Sequence, residues 1–140
     1  MCSSDLPDRA IVEAYPGVVT GIKDSSLELE HTRALLRAFP GFEVFVGTEK
    51  FLLATLREGG AGCITATANV NAPAISRAFR ERSEERQREI DVVREAFEKL
   101  PLIAALKEAI ARRTGDARWR AVRPPLVELS PDQRATLKET

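Results

Sequence analysis

The sequence is poor in the residues that usually announce a functional site. Two cysteines in 140 residues, Cys2 and Cys63, are too few and too badly placed for a disulfide framework or a thiolate metal centre. Cys63 lies inside an apolar stretch and reads as an inert, buried thiol. The single histidine, His31, falls mid-helix among positions read as exposed, with no Ser or Cys partner, which argues against a catalytic triad or a metal site. Charge of one sign is missing too. The 21 Lys and Arg balance 21 Asp and Glu, interspersed along the chain, so a nucleic-acid partner is not expected. No apolar run approaches the ~20 residues needed to span a bilayer, and no membrane association is expected. Residues 1–6 lack the basic start and long apolar core of a secretory signal and fit nothing that follows; they read as a non-native leader. A composition of 44% hydrophobic and 30% charged residues is ordinary for a soluble globular protein, with the cytoplasm as its expected address.

What the chain does have is rhythm. Pro7 to Tyr15 reads as a short helix with Ile11, Val12 and Tyr15 on one face, stopped by Pro16-Gly17. The β-branched run Val18-Val19-Thr20-Gly21-Ile22 predicts a buried strand. Ser25 and Glu28 then have capping-box spacing, and Leu29, Thr32, Leu36 and Phe39 recur at helical period up to Pro40-Gly41. Phe42 to Val46 reads as a second strand. Thr48 can cap a helix from Glu49 to Glu58, with Leu52, Leu53 and Leu56 turned inward and Gly59-Gly60 as its stop. Ala61 to Thr67 reads as a third strand. Strand and helix alternating at this pace predict parallel βαβ units and an α/β fold.

From Ala72 the pattern is wholly helical. Pro73 suits a first turn, with Ile75, Ala78 and Phe79 on the buried face. Arg80 to Arg88 is dense in both charges and reads as a solvated helix face with pairs such as Glu84–Arg88. Ile90, Val93, Phe97 and Leu100 resume the apolar stripe. Leu102 to Arg113 makes another helix, stopped near Gly115. Trp119, among arginines, is expected to pack under the tail. Pro124-Pro125 breaks any helix, and Ser130-Pro131-Asp132-Gln133 carries the signature of a last one.

The chemistry is concentrated where the first strand ends. Lys23 follows the run Val18 to Ile22 and precedes a helix-start signal, and α/β folds place their reacting groups at such strand ends. An amine there can shed water and attack a carbonyl as a free base, although most strand-end lysines are simply solvated charges. A phosphate-binding loop is excluded: Gly17 to Asp24 lacks the Gly-Lys-(Ser/Thr) ending.

Three stretches together, Gly21-Ile22-Lys23-Asp24, Phe45-Val46-Gly47-Thr48-Glu49 and Gly60-Ala61-Gly62-Cys63-Ile64-Thr65-Ala66-Thr67-Ala68-Asn69-Val70, resemble the C-terminal half of the dihydrodipicolinate synthase and N-acetylneuraminate lyase family. The resemblance runs from about Val12 to the end of the chain. It implies the C-terminal portion of a (β/α)8 barrel, about the last three βα units over residues 7–80, with a helical C-terminal extension over 81–140. A complete barrel takes about 250 residues, so the chain is expected to be a fragment. The resemblance also implies that Lys23 forms an imine with the keto group of pyruvate, that Gly47, Thr48 and Ile64 contact substrate, and that neither a metal nor an organic cofactor takes part. Here Thr48-Glu49 stand where many relatives carry other, often acidic, residues, and plain helix capping explains Thr48 equally well. The implied reaction condenses pyruvate with an aldehyde in the manner of 4-hydroxy-tetrahydrodipicolinate synthase, within a homotetramer. A 2-keto-3-deoxy sugar-acid aldolase and an N-acetylneuraminate-lyase-like enzyme are the alternatives, with a non-catalytic, truncated assembly module as the rival of another class. The family's Thr-Thr-Gly-Glu-type carboxylate loop and its relay tyrosine have no match in this chain; Tyr15 is its only tyrosine. The isolated chain is therefore expected to be inactive.

Overall fold

The computed structural model describes residues 8–137, so the leader read at residues 1–6 lies outside the described residues. Two compact units divide between Thr65 and Ala66.

The first unit opens with α1 (Asp8–Ala14), then alternates β1 (Gly21–Asp24), α2 (Leu29–Ala38), β2 (Glu43–Val46), a 3-10 turn (Glu49–Phe51) running into α3 (Leu52–Arg57), and β3 (Gly62–Cys63). The strands form one parallel sheet in the order β1-β2-β3. The alternation predicted from sequence is present, but the strands are shorter than the apolar runs. Val18 is 78% exposed and lies outside β1, because only Gly21 onward finds a partner strand. The third strand keeps two residues of the seven read from sequence.

Strand alternation sorts the side chains. Asp24, Val44 and Val46 are buried, whereas Lys23 and Glu43 are exposed. On the buried face Leu35 of α2 packs on Val44, with Ile22, Leu36, Phe39 and Phe42 around them. Leu52, Leu53 and Leu56 of α3 are buried as the sequence predicts. The capping box at Ser25 and Glu28 does not form. α2 starts at Leu29 with no side-chain cap, and Ser26 Oγ instead accepts from the Glu28 N–H at 3.2 Å.

The second unit is helical: α4 (Ala68–Glu81), α5 (Glu84–Glu98), α6 (Leu102–Thr114), a 3-10 turn (Ala117–Arg120) and α7 (Pro131–Thr136). α4 starts four residues before Ala72 but is broken at Asn71 (φ −130°, ψ 24°). Pro73 therefore opens its second segment. A proline lacks the N–H that would serve the carbonyl four residues back, and the Asn69 carbonyl accepts from Arg113 at 3.0 Å instead. The run Arg80 to Arg88 is not one helix face. Arg82 adopts the left-handed conformation (φ 49°), and Ser83 caps α5 by accepting from the Arg86 N–H. Arg86 pairs with Glu81 and Glu89. The core gathers Phe97, Ala104, Ala105, Leu106, Leu129 and Leu137. Trp119, expected to pack under the tail, is 45% exposed. Gly115 (φ 71°) ends α6, and the expected box at Ser130 is complete: Ser130 Oγ accepts from the Gln133 N–H, and Gln133 Oε1 from the Ser130 N–H.

Candidate active site

The register of the sheet places the candidate residues. Lys23 pairs with Phe45, Asp24 with Val46, and Val46 with Cys63. The ladder continues one step past the strand ends. The Gly47 N–H donates to the Asp24 carbonyl at 2.7 Å, and the Ile64 N–H to the Val46 carbonyl at 2.9 Å. Residues two apart on a strand share a face. Gly47 and Ile64, one step beyond the Asp24 row, therefore fall on the face of Lys23, at the C-terminal edge of the sheet. This edge is the open one: Lys23 is exposed and Ile64 is 49% exposed.

Gly47 is required by close packing. A Cβ there would stand 2.9 Å from the Asp24 carbonyl oxygen and 3.2 Å from Ser25 Cα. Gly21 is fixed likewise, since a Cβ would stand 2.7 Å from the Glu43 carbonyl oxygen. Thr48 belongs to the opposite face. It is 3% exposed, and its hydroxyl accepts from the Lys50 N–H to cap the 3-10 turn that leads into α3. Beneath it Glu49 is fully buried and accepts from Thr65 Oγ1 at 2.5 Å. Cys63 is half-buried, not fully buried as read from sequence, and burial, with the Glu49 charge adding to it, pushes its thiol up to about 11, which disfavours the reactive thiolate.

A polar cluster that sequence reasoning missed lies directly behind the lysine. Asp24, 5% exposed, accepts from the Ser26 N–H at 3.0 Å and from Thr32 Oγ1 at 2.6 Å, and its Oδ1 meets His31 Nδ1 at 3.1 Å. His31 is thus a half-buried partner of Asp24 in the first turn of α2, not an exposed mid-helix residue. Burial raises the Asp24 carboxyl, but the hydrogen bonds from Thr32 and Ser26 and the nearby imidazole outweigh it and hold the group below its ordinary value. The available signal was Thr32, a hydroxyl inside an otherwise apolar helical stripe, eight residues from an aspartate at a strand end. Among the described residues no group of His, Cys, Asp and Glu is placed to hold a metal ion, and no helix is long and apolar enough to cross a membrane.

Parallel βα units with a lysine on the open C-terminal edge define the class: a portion of a (β/α)8 barrel, with its candidate site at the barrel's customary end. The family model of the dihydrodipicolinate synthetase family matches residues 10–140, and the chain belongs to that family. It is similar to an uncharacterized DapA-like lyase of Chloroflexus aurantiacus, 32% identical over a 123-residue alignment that covers 84% of this chain and 41% of that protein. Among solved structures it resembles dihydrodipicolinate synthase from Agrobacterium tumefaciens (34% identity, TM-score 0.75, 92% of this chain and 44% of that one). It also shares the fold of a prophage protein of the dihydrodipicolinic acid synthase family from Escherichia coli K12, solved in complex with pyruvate. That match has 24% identity and a TM-score of 0.77, and covers 91% of this chain and 46% of that one. The chain thus spans less than half the length of these relatives.

Proposed function

We propose that the whole protein to which this chain corresponds is a pyruvate-dependent lyase or aldolase working through an imine on Lys23. The observation that carries the reading is the shared open face of Lys23, Gly47 and Ile64 at the C-terminal edge of a parallel sheet. The unprotonated Lys23 Nζ attacks C2 of pyruvate and forms a C–N bond. The carbonyl oxygen takes up two protons and leaves as water. The protonated imine is an electron sink: loss of a methyl proton gives an enamine, whose carbon forms the new bond to an aldehyde. Gly47 and the main chain at Ile64 would line the keto-acid pocket, with Thr48 at the start of the following helix. The reaction needs no metal or organic cofactor.

The preferred second substrate is an aldehyde of the kind used by 4-hydroxy-tetrahydrodipicolinate synthase. Sugar-acid aldolases and N-acetylneuraminate lyase share the imine and differ in that partner. The whole protein is proposed to be a cytoplasmic homotetramer. Turnover also calls for a carboxylate-binding loop and a proton relay, so this chain alone is expected to form the imine without completing the condensation. The test is reductive trapping. Borohydride with pyruvate should add the mass of reduced pyruvate to the peptide bearing Lys23, and Lys23→Ala should lose the adduct. An adduct that persists in Lys23→Ala, or that spreads evenly over the other lysines, would overturn the reading.

A further inference from the structure

Asp24 is the last residue of β1 and the neighbour of Lys23, yet it faces the other way, so it cannot touch a molecule bound at the lysine. Its bonds instead fix where the strand ends. Its carbonyl accepts from Gly47 at the end of β2. Its carboxylate draws in the Ser26 N–H, the Thr32 hydroxyl and the His31 ring, and so binds the β1–α2 connection and the first turn of α2 to the strand. We propose that Asp24 is a positioning residue for Lys23, held in place by Thr32 and His31, a role that rests on the imine reading given above.

Two further features support it. Leu27, in the short connection, has φ 61° and is 57% exposed. A non-glycine residue persists in the left-handed region only where its surroundings over-determine it, and here both flanks are tied: Ser26 to Asp24, and Glu28 to Ser26. A strand end would otherwise be free to fray. Moreover, a buried carboxylate is costly unless its lone pairs are met, and here both oxygens are engaged. The carboxylate therefore has one geometry, and the lysine one residue away inherits it. Attack on a carbonyl is sensitive to that geometry, because the nucleophile must approach along a defined line.

The experiment follows adduct formation on the Lys23 peptide over time, with the full chain, cyanoborohydride and a series of pyruvate concentrations up to saturation. Wild type is compared with Asp24→Asn, Thr32→Val and Thr32→Ser, each checked by thermal melting. Thr32→Val keeps shape but removes the donor, and is expected to lower the rate constant by about tenfold or more. The pyruvate concentration at half-maximal rate should not change. Thr32→Ser, which keeps the hydroxyl, should restore the wild-type rate, and Asp24→Asn should behave like Thr32→Val. A purely structural role would lower the melting temperature and the final fraction trapped, leaving the rate constant of the folded molecules at the wild-type value. That result overturns the proposal. If Asp24→Asn does not fold, the contrast between Thr32→Val and Thr32→Ser decides. Absence of any Lys23 adduct in wild type overturns the imine reading and the positioning role together, whereas a wild-type adduct formed equally fast in all variants overturns the positioning role alone.

Discussion

A methyl group on Gly47 would press on the Asp24 carbonyl at 2.9 Å and on Ser25 Cα at 3.2 Å, both main-chain atoms that cannot rotate away. Gly47→Ala should therefore destabilise the first unit by about 1–3 kcal/mol, read as a lower urea midpoint, even though the position is only half-buried. The Asp24 cluster makes a second residue-scale prediction. Because its folded carboxyl lies below the ordinary value of 3.8, its contribution is complete above that pH and is lost as pH falls through the folded value. Thermal melts of wild type should lose stability on acidification below pH 3.8, and Asp24→Asn should lose less over the same span. Equal losses would show that the cluster adds nothing. At this scale the sequence was informative about Lys23 and Thr48, whose positions follow from strand ends and helix starts. It was silent about Asp24 and His31, because a pairing across seven residues depends on the turn between them. That turn replaces the expected cap with a left-handed Leu27.

Elements with their own local chemistry were the most legible. The box at Ser130 and Gln133 is a contact between residues three apart, needs no tertiary partner, and forms as read. Ser130→Ala should cost about 0.5–2 kcal/mol of stability in the helical unit, measured by denaturant unfolding. Strands were read too long because a strand is defined by its neighbour; apolar residues such as Val18 extend the run but not the ladder. The charged run was misread for a related reason, since a left-handed Arg82 divides it into the end of one helix and the cap of the next. In the same unit Glu108, 2% exposed, joins Arg112 at 2.9 Å and Arg120 at 2.8 Å, with Arg134 at 3.7 Å. Arg120 above all, then Arg112, hold its carboxyl below the ordinary glutamate range despite its burial. Arg112 in turn donates to the carbonyls of Leu137 and Arg134, which fastens α7 to α6. Glu108→Ala is expected to cost about 1–3 kcal/mol, discounted because its arginine partners are about one-third exposed, and to loosen α7. Hydrogen exchange should show faster opening of residues 131–137 in that variant, and unchanged protection there would contradict the account.

On the scale of the whole molecule, a parallel sheet is stable when both faces are covered and its edges are met. In the first unit β1 and β3 are both edges, and the face bearing Lys23, Glu43 and Phe45 is the less buried one. The chain spans 41–46% of the relatives compared above, which fits a sheet that ends at three strands. Size exclusion of the isolated chain should show concentration-dependent association through these surfaces; a monomer at all concentrations with one cooperative melt would contradict this.

The proposed imine is one bond, between Lys23 Nζ and C2 of a keto acid, and carbon NMR with pyruvate labelled at C2 observes that bond directly. With excess protein, the labelled carbon should leave its ketone and hydrate positions for an imine resonance. That resonance should split when the lysines carry nitrogen-15, and it should vanish in Lys23→Arg. A spectrum in which pyruvate stays unbound, or in which the imine survives in Lys23→Arg, would contradict the assignment of Lys23 as the reacting amine.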